Sequence, residues 1–157
     1  LPEIMRLYEA SLARSDLQLE RLPATYFTGI LQQLGDRAVC VLYWLDDQLV
    51  AFNLVLIDEH RLIDKFFGHD LELTRDYNLY FRSWLVNVDY CIRHNIALYE
   101  CGQAGYASKI RLGCTFQSNT LFFRHRNWLI NNALKLVKLF IRPDRHDPAL
   151  AAAISEY

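Results

Sequence analysis

The feature that most constrains the fold is a run of three β-rich segments joined by short turns. Residues 37–45 read RAVCVLYWL and residues 48–57 read QLVAFNLVLI, with Asp46-Asp47 between them. A second polar turn, residues 58–60, leads into residues 61–67, which end at a glycine. Aromatic and β-branched runs bounded by turn residues are typical of strands, and short connections between them are typical of hairpins. The sequence therefore predicts a meander of three antiparallel strands.

Helical spacing of apolar side chains lies on both sides of the meander. Residues 2–15 predict one helix, and a second begins after Pro23 and ends at Gly35. After the meander, residues 77–94 return to helical period and residues 96–101 form an apolar run. A strand, helix, strand connection that crosses back favours parallel pairing. We therefore predict an α/β fold with a mixed sheet flanked by helices.

The last third of the chain alternates short elements. A short helix is predicted around Lys109, followed by a strand at residues 115–124. An amphipathic helix at residues 128–141 is predicted to be capped by Asn127 and stopped by Pro143. Beyond it, an alanine-rich piece of the tail has the composition of a loose helix.

The totals indicate one soluble globular domain. The chain has 157 residues, of which 52% are apolar and 22% are charged, as in ordinary folded proteins. We assign residues 1–142 to the domain and residues 143–157 to a tail, and we expect that the domain is cut from a longer protein. A net charge of −1 gives no global field for nucleic acid or anionic membrane. No apolar run approaches the roughly 18 residues of a membrane span, so we expect a cytoplasmic protein without a transmembrane segment.

The cysteines and histidines do not predict a metal site. The four cysteines are widely spaced, none forms a CxxC pair, and each lies in an apolar setting: Cys40, Cys91, Cys101 and Cys114. Such cysteines are typical of reduced core residues in a cytoplasmic protein. The histidines have no partner at ligand spacing. We therefore predict a protein without a bound metal.

Residues 97–126 carry most of the functional information. A short apolar run ends at Glu100-Cys101-Gly102, and a compact segment with Tyr106 and Lys109 follows. Gly113 then opens a second alternating run. In open α/β sheets, ligands bind at the carboxyl ends of the strands. This stretch is therefore the first candidate for a functional site.

The order of motifs resembles the GNAT acyltransferase superfamily. The similarity is strongest to the branch with the Fem-type peptidoglycan aminoacyl ligases and the acetyltransferase-like bacterial proteins of peptidoglycan or polysaccharide biosynthesis. It covers about residues 1–125. The motifs are the hairpin at residues 47–54, the Phe67-Gly68 pair, a helix beginning near Asn-Leu-Tyr at residues 78–80, the strand end Tyr99-Glu100-Cys101-Gly102, and Lys109 four residues before Gly113.

The resemblance implies an N-acyltransferase whose two central strands splay apart. Residues 62–68 and 98–101 would be the splayed strands, and the activated acyl donor would bind along their edges while an amine attacks. One departure concerns residues 68–78, GHDLELTRDYN, which lack the family's Q/R-x-x-G-x-G/A loop. In the family that loop presents backbone N–H groups to a pyrophosphate. The donor is therefore left open between acetyl-CoA or another acyl-CoA and an aminoacyl-tRNA.

Three residues are candidates for catalysis. The resemblance implies that Lys109, in a slot where ordinary members carry a tyrosine acid, neutralises charge on the donor or in the transition state; the alternative is an exposed helix lysine. Tyr106 shares its helix face and can donate its hydroxyl or simply pack. Glu100 is a candidate base if burial raises its pKa, and otherwise an ion-paired or solvent-facing carboxylate.

A second set of residues is predicted to bind the donor or substrate. Asp64 and Lys65 alternate within one strand, so one of them faces the cleft or a neighbouring layer, and we select Asp64. His69 lies at the open end of that strand and is able to titrate near neutral pH, and Arg75 is a candidate phosphate ligand. The full set is Asp64, Phe67, Gly68, His69, Arg75, Cys101, Gly102 and Gln103.

Positive charge is concentrated towards the C-terminus. It includes Arg124-His125-Arg126 and the later residues Lys135, Lys138, Arg142 and Arg145. Three interpretations stay open: a solvated basic face, contact with RNA or tRNA, or a basic amphipathic helix resting on a membrane. For the chain as a whole, the alternative to an enzyme is a non-catalytic GNAT-like domain that binds a partner, a substrate or a sister domain of the same polypeptide.

Overall fold

The computed structural model describes residues 1–15, 20–102, 105–117, 120, 122, 124–137 and 152. The chain forms two compact units, Leu1–Gly102 and Gln103–Tyr157. The first unit holds a mixed sheet of four strands, which lie side by side in chain order, with helices around it. This confirms the predicted α/β class.

Two helices precede the sheet, as predicted. Helix α1 (Pro2–Ala13) has its proline in the first turn, where the missing N–H costs no hydrogen bond. Helix α2 (Ala24–Leu34) ends at Gly35, whose φ of 54° is a left-handed value that favours glycine.

The antiparallel meander is confirmed. It consists of β1 (Ala38–Leu45), β2 (Gln48–Ile57) and β3 (Arg61–His69), each paired antiparallel with the next. Strand β3 runs two residues further than predicted, because Gly68 and His69 still pair with β2. A glycine therefore did not end this strand.

The core lies on both faces of the sheet. The first cluster joins α1 and α2 to the sheet and contains Leu7, Tyr8, Phe27, Leu49, Phe52 and Leu54. The second cluster contains Val55, Leu62 and Cys91 and joins the other face to α4 (Leu79–Arg93). Since side chains alternate along a strand, Phe52 and Leu54 of β2 face the first cluster. Asn53 and Val55 face the second.

The crossover after the meander produces the parallel pair. Helix α4 lies within the predicted residues 77–94, and β4 (Leu98–Glu100) within the predicted 96–101. Strand β4 pairs parallel with β3. Between β3 and α4 lie the short helix α3 (Leu71–Thr74) and a 3-10 turn (Arg75–Tyr77), which the sequence did not predict.

The second unit contains two described helices, α5 (Tyr106–Arg111) and α6 (Trp128–Val137). Both were predicted, and the Asn127 side chain caps α6 by accepting a 2.9 Å hydrogen bond from the N–H of Leu129. The predicted strand at residues 115–124 is not found among its described residues, 115–117, 120, 122 and 124. Phe122 in this segment is 90% exposed. Although the segment is rich in strand-forming residues, this side chain is therefore not buried against a sheet. Residues 138–141 and the alanine-rich tail, except residue 152, lie outside the described part.

Candidate functional site

The parallel pairing between β3 and β4 in the first unit is short. Strand β4 pairs with β3 only at Arg61↔Leu98, Leu62↔Tyr99 and Ile63↔Glu100. Strand β3 continues to His69, so its last six residues extend beyond the last β4 partner. We call this point the fork: β4 ends at Glu100 while β3 continues, within the two segments predicted to splay, residues 62–68 and 98–101. It leaves one edge of β3 without β4, and a ligand with amide groups can pair there.

An irregularity in β3 coincides with the fork. In the register with β2, Leu54 is opposite Phe66 and Val55 is opposite Asp64, so Lys65 has no partner position. An extra residue of this kind bends its strand and increases the local twist. The bend occurs within three residues of Ile63, the last β3 residue that pairs with β4.

Four polar side chains from four elements meet just beyond the last β3–β4 pair. This polar cluster consists of Asn53 of β2, Asp64 of β3, Asn87 of α4 and Tyr99 of β4. The Asn53 amide donates to Asp64 Oδ1 at 2.7 Å, and the Tyr99 hydroxyl donates to Asp64 Oδ2 at 2.8 Å. The Asn87 amide donates to Asn53 Oδ1 at 2.8 Å and to the Tyr99 hydroxyl at 3.0 Å. The cluster therefore ties β3 to both neighbouring strands and to α4.

The environment of the polar cluster determines the protonation of the Tyr99 hydroxyl. Burial, and secondly the negative charge of Asp64, raise the pKa of the Tyr99 hydroxyl. The hydroxyl is thus kept protonated as the donor to the carboxylate. Asp64 was predicted to face the cleft or a neighbouring layer, and the structure places it against α4. We interpret it as a carboxylate that positions the fork.

Sequence reasoning missed Asn53, Asn87 and Tyr99. Asn53 and Asn87 are 0% and 2% exposed. A signal was present, because Asn53 interrupts an apolar strand and Asn87 lies four residues after Ser83 on the buried face of α4. Buried amides are normally hydrogen-bonded, so their presence indicated a partner.

Two buried donors near the cluster have no hydrogen-bond partner. Within the described residues these are the Tyr43 hydroxyl and the Trp84 Nε1–H. The Tyr43 ring packs edge-on against Phe67, and the Trp84 ring lies 5.7 Å from Tyr99. Burial, and secondly the charge of Asp64, raise the pKa of Tyr43 to about 12.

His69 occupies the open end of β3 in a defined tautomer. Its Nδ1 lies 2.9 Å from the Thr74 hydroxyl, which donates its single proton to the Asp70 carbonyl at 2.5 Å. Thr74 must therefore accept from Nδ1–H, which leaves the lone pair on Nε2. Burial, and secondly the charge of Arg14, lower the pKa of His69. The ring stacks on Phe67 with a centroid distance of 5.2 Å.

The segment where the family carries its glycine loop is built differently here. Asp70 Oδ1 accepts from the backbone N–H groups of Glu72 and Leu73, and Arg6 donates to Oδ2 at 3.1 Å. Burial opposes ionisation, but the hydrogen bonds from Arg6 and from Leu73 outweigh it and lower the pKa of Asp70. The first N–H groups of α3 are thus occupied by a carboxylate. Arg75 follows as an exposed side chain.

Gly68 has a packing reason of its own. A Cβ at this position would lie 2.3 Å from Cε1 of Phe52, which is fully buried. The core therefore excludes any larger residue there without a shift of the Phe52 ring. This close approach is independent of any contact between Gly68 and a donor.

The end of β4 carries an ion pair. Glu100 Oε1 lies 3.1 Å from Arg61 Nη1, and Arg61 also pairs with Asp58 at 2.6 Å. This is the ion-paired alternative that the sequence left open for Glu100. Gly102 adopts a φ of 77°, and Cys101 is partly buried. Gln103 lies outside the described residues.

In the second unit, the two remaining candidates lie on α5. Lys109 is 4% exposed, which rules out the alternative of an exposed helix lysine. The Tyr106 ring lies 5.9 Å from the ring of Phe116. The two candidates are three residues apart and share a helix face.

The described residues hold neither a candidate metal site nor a helix that could span a membrane. They contain no group of three or more histidine, cysteine, aspartate or glutamate side chains able to hold a metal ion. None of their helices combines the length and hydrophobicity needed to cross a bilayer. None of the four cysteines is in a disulfide.

Comparison with known proteins gives one family and two similar folds. The family described as an acetyltransferase (GNAT) domain matches residues 1–108, more than half of the chain. The tetramutant of the BH1408 protein from Bacillus halodurans matches with a TM-score of 0.56 at 14% identity, over 79% of this chain and 93% of its own. A possible acetyltransferase from Clostridium difficile 630 matches with the same TM-score, identity and coverage of this chain, over 91% of its own. No curated protein matches the sequence.

Proposed function

Since the chain belongs to the family of GNAT acetyltransferase domains, we propose that it transfers an acyl group from an activated donor to an amine. The observation that carries this proposal is the fork, where β3 runs on to His69 after its pairing with β4 has ended. An acyl donor that contains amide groups can add to such an edge as a strand would. The polar cluster and the irregularity at Lys65 keep the fork open.

Acetyl-CoA is the donor that family membership favours, and its amide-containing arm would lie along residues 65–69 of β3. Its diphosphate does not fit the start of α3, because Asp70 already accepts from the N–H groups there and adds a negative charge. An aminoacyl-tRNA, as used by the Fem-type branch, is the second donor to test. Contacts of Phe67, Gly68, Arg75, Cys101, Gly102 and Gln103 with the donor are part of the same proposal.

His69 is the proton acceptor that we assign. An amine must lose a proton as it attacks, and a base able to accept it near neutral pH is required. The lowered pKa of His69 keeps its ring neutral at pH 7, and Thr74 holds Nδ1–H so that Nε2 is the basic atom. Glu100, the base candidate from the sequence, is engaged by Arg61, so we rank it second.

Lys109 and Tyr106 keep their proposed roles from the family resemblance. A buried ammonium is suited to neutralise charge that develops on a transferred carbonyl or a leaving group. The burial of Lys109 supports a role inside the fold, because a buried lysine is almost always paired with another group. The Tyr106 hydroxyl would protonate the leaving group.

The first experiment combines binding with turnover. Acetyl-CoA binding is measured by calorimetry, and thiol release is followed with a panel of primary amines. We expect saturable binding and amine-dependent release. His69→Gln should lower kcat by about 100-fold and remove the acidic limb of the pH profile. Lys109→Ala should lower kcat/KM by at least about tenfold, while the exposed Lys135→Ala serves as the matched control.

The outcome that contradicts this proposal is amine-dependent turnover that His69→Gln and Lys109→Ala both leave unchanged. If acetyl-CoA neither binds nor turns over, the aminoacyl donor is tested with charged tRNA. If neither acetyl-CoA nor charged tRNA supports transfer to an amine, the proposal of acyl transfer is wrong.

A second candidate function is a non-catalytic domain of the same fold. The observation in its favour is Asp70, which occupies the backbone groups that would otherwise face a diphosphate. Such a domain would bind a partner, a substrate or a sister domain of a longer polypeptide. If the resemblance to the Fem-type branch extends to its biology, the domain would act in the cytoplasm, in cell-envelope biosynthesis. Absence of donor binding together with retained binding of an amine substrate would favour it.

A further inference from the structure

The second unit contains a cavity that the proposed acyl transfer does not use. It has a volume of about 460 Å³ and is lined by Arg124, His125, Arg126, Trp128 and Asn131. We call it the basic cavity. Its volume falls within the range of about 300–1,000 Å³ that is typical of small-molecule sites. A single inorganic anion would fill only part of it.

Hydrogen bonds around the basic cavity leave it with donors. The backbone N–H of Asn127 donates to His125 Nδ1 at 3.0 Å, so a neutral ring carries its proton on Nε2. The backbone N–H of His125 donates to Asn131 Oδ1 at 3.1 Å, which engages the amide oxygen and leaves the NH₂ group to donate. The two guanidinium groups have no acceptor atoms. Among the residues that the structure describes, no carboxylate lines the cavity.

The side chains, and not the helix terminus, make this cavity a candidate site. The Asn127 side chain already accepts from the N–H groups of Leu129 and Ile130. Arg124 and Arg126 make no ion pair within the described part of the chain. Two guanidinium groups that pair with no described carboxylate, beside further donors, match the oxygens of a phosphate.

The distribution of charge supports an anionic ligand. Residues 103–157 contain eight lysines and arginines against three acidic residues, whereas residues 1–102 contain nine against fifteen. The second unit therefore has a net charge of +5 and the first −6, which the overall value of −1 conceals. A positive unit attracts anions over a distance of about a Debye length.

Trp128 adds a flat surface to the rim. Its side chain is 69% exposed, and an exposed indole face beside arginines can stack with a nucleobase. We propose that the basic cavity binds a nucleoside diphosphate, with the phosphates held by Arg124 and Arg126 and the base stacked on Trp128. This inference does not depend on acyl transfer.

Calorimetry of the full chain with ADP and with inorganic pyrophosphate tests the proposal. We expect saturable one-to-one binding of both, with ADP the tighter ligand. Arg124→Gln and Arg126→Gln should each weaken both ligands by at least about tenfold, as expected for loss of a charge-assisted contact. Trp128→Leu should weaken ADP and leave pyrophosphate within about twofold, because stacking serves only the base.

Lys135→Gln is the matched control, because it removes the same charge from the same unit without lining the cavity. Lys135→Gln should change the dissociation constants of ADP and pyrophosphate by less than about twofold. The four substituted side chains, of Arg124, Arg126, Trp128 and Lys135, are all exposed. The variants should therefore fold, which circular dichroism checks. The proposal is overturned if ADP does not bind, or if Lys135→Gln weakens binding as much as the arginine variants. Binding of an RNA oligonucleotide or of phosphatidic acid vesicles that ADP fails to displace would also overturn it.

Discussion

The polar cluster and the basic cavity are both rich in hydrogen-bonding groups, but they differ in how those groups are paired. In the cluster, the amides of Asn53 and Asn87 and the hydroxyl of Tyr99 donate to one another or to Asp64. In the cavity, the arginine donors have no acceptor within the described part of the chain. Pairing, and not polarity, therefore separates a group that holds the fold from one that is available to a ligand.

Solvent explains why both arrangements are stable. An unpaired donor in a buried site costs about 1–3 kcal/mol, so the cluster must satisfy its groups internally. The side chains of Arg124 and Arg126 are exposed, and water satisfies them at little cost. The same donors become available when a ligand displaces that water.

Removal of the Asp64 carboxylate should produce the largest effect. In Asp64→Ala, the Asn53 amide keeps only the Phe66 carbonyl at 3.3 Å as an acceptor, and the Tyr99 hydroxyl loses Asp64, in a partly buried site. We expect the free energy of unfolding to fall by about 3 kcal/mol, as measured by urea denaturation. The exposed Asp76→Ala is the control. Equal stability of the two variants would show that the cluster does not hold the fork.

Two tyrosines allow a hydroxyl group to be removed at one position where it is hydrogen-bonded and at another where it is not. Tyr99→Phe removes a hydroxyl that donates to Asp64 and accepts from Asn87, and should lower the free energy of unfolding by about 2 kcal/mol. Tyr43→Phe removes a buried hydroxyl that has no hydrogen-bond partner among the described residues, and should leave the free energy of unfolding unchanged or raise it by about 1 kcal/mol. A loss in Tyr43→Phe as large as in Tyr99→Phe would break the comparison.

The effect of pH on His69 should be smaller. Its pKa in the folded chain lies below the ordinary value of about 6.5. Well above pH 6.5, the His69 ring is neutral in both the folded and the unfolded chain. As the pH falls below 6.5, the unfolded chain binds a proton at this ring before the folded chain does, so the free energy of unfolding declines. The decline from this group ends below its folded pKa. His69→Gln should flatten this part of the stability profile between pH 7.5 and 5, and an unaltered profile would contradict the assigned environment.

The smallest effect is expected in the basic cavity. Arg126→Gln removes an exposed charge that has no ion pair in the described part of the chain. We expect no measurable change in the urea midpoint, in contrast to Asp64→Ala. A clear loss of stability would mean that Arg126 contributes to the fold, and would weaken its assignment as a ligand-binding residue.

Most of the fold of the first unit could be predicted because its signals are local. The β-rich apolar run of residues 48–57 and the short turns on either side specified β2 to the residue. Gly35 and Asn127 marked helix ends through their own backbone and side-chain chemistry. The predicted strand at residues 115–124 had only local propensity behind it, and a strand also needs a neighbour and a buried face.

The site could be predicted only in part. Asp64 attracted notice because a carboxylate in an apolar strand requires an explanation. Its partners did not, since Asn53 and Asn87 are 34 residues apart and each resembles an isolated polar residue. The tautomer of His69 depends on Thr74 and on a backbone carbonyl, and no spacing rule encodes it.

The sequence by itself determined the order of the helices, the meander and the crossover, because periodicity and turn chemistry act over a few residues. Tertiary structure alone decided where the pairing of β4 with β3 ends and which amides contact Asp64. It also decided that the side-chain donors of Arg124 and Arg126 have no acceptor in the described part of the chain. These properties depend on groups that are distant in the sequence and are brought together only when the sheet and its helices pack. Hydrogen-bond pairing is a property of that packing, and for this reason it is the structure that distinguishes the polar cluster from the basic cavity.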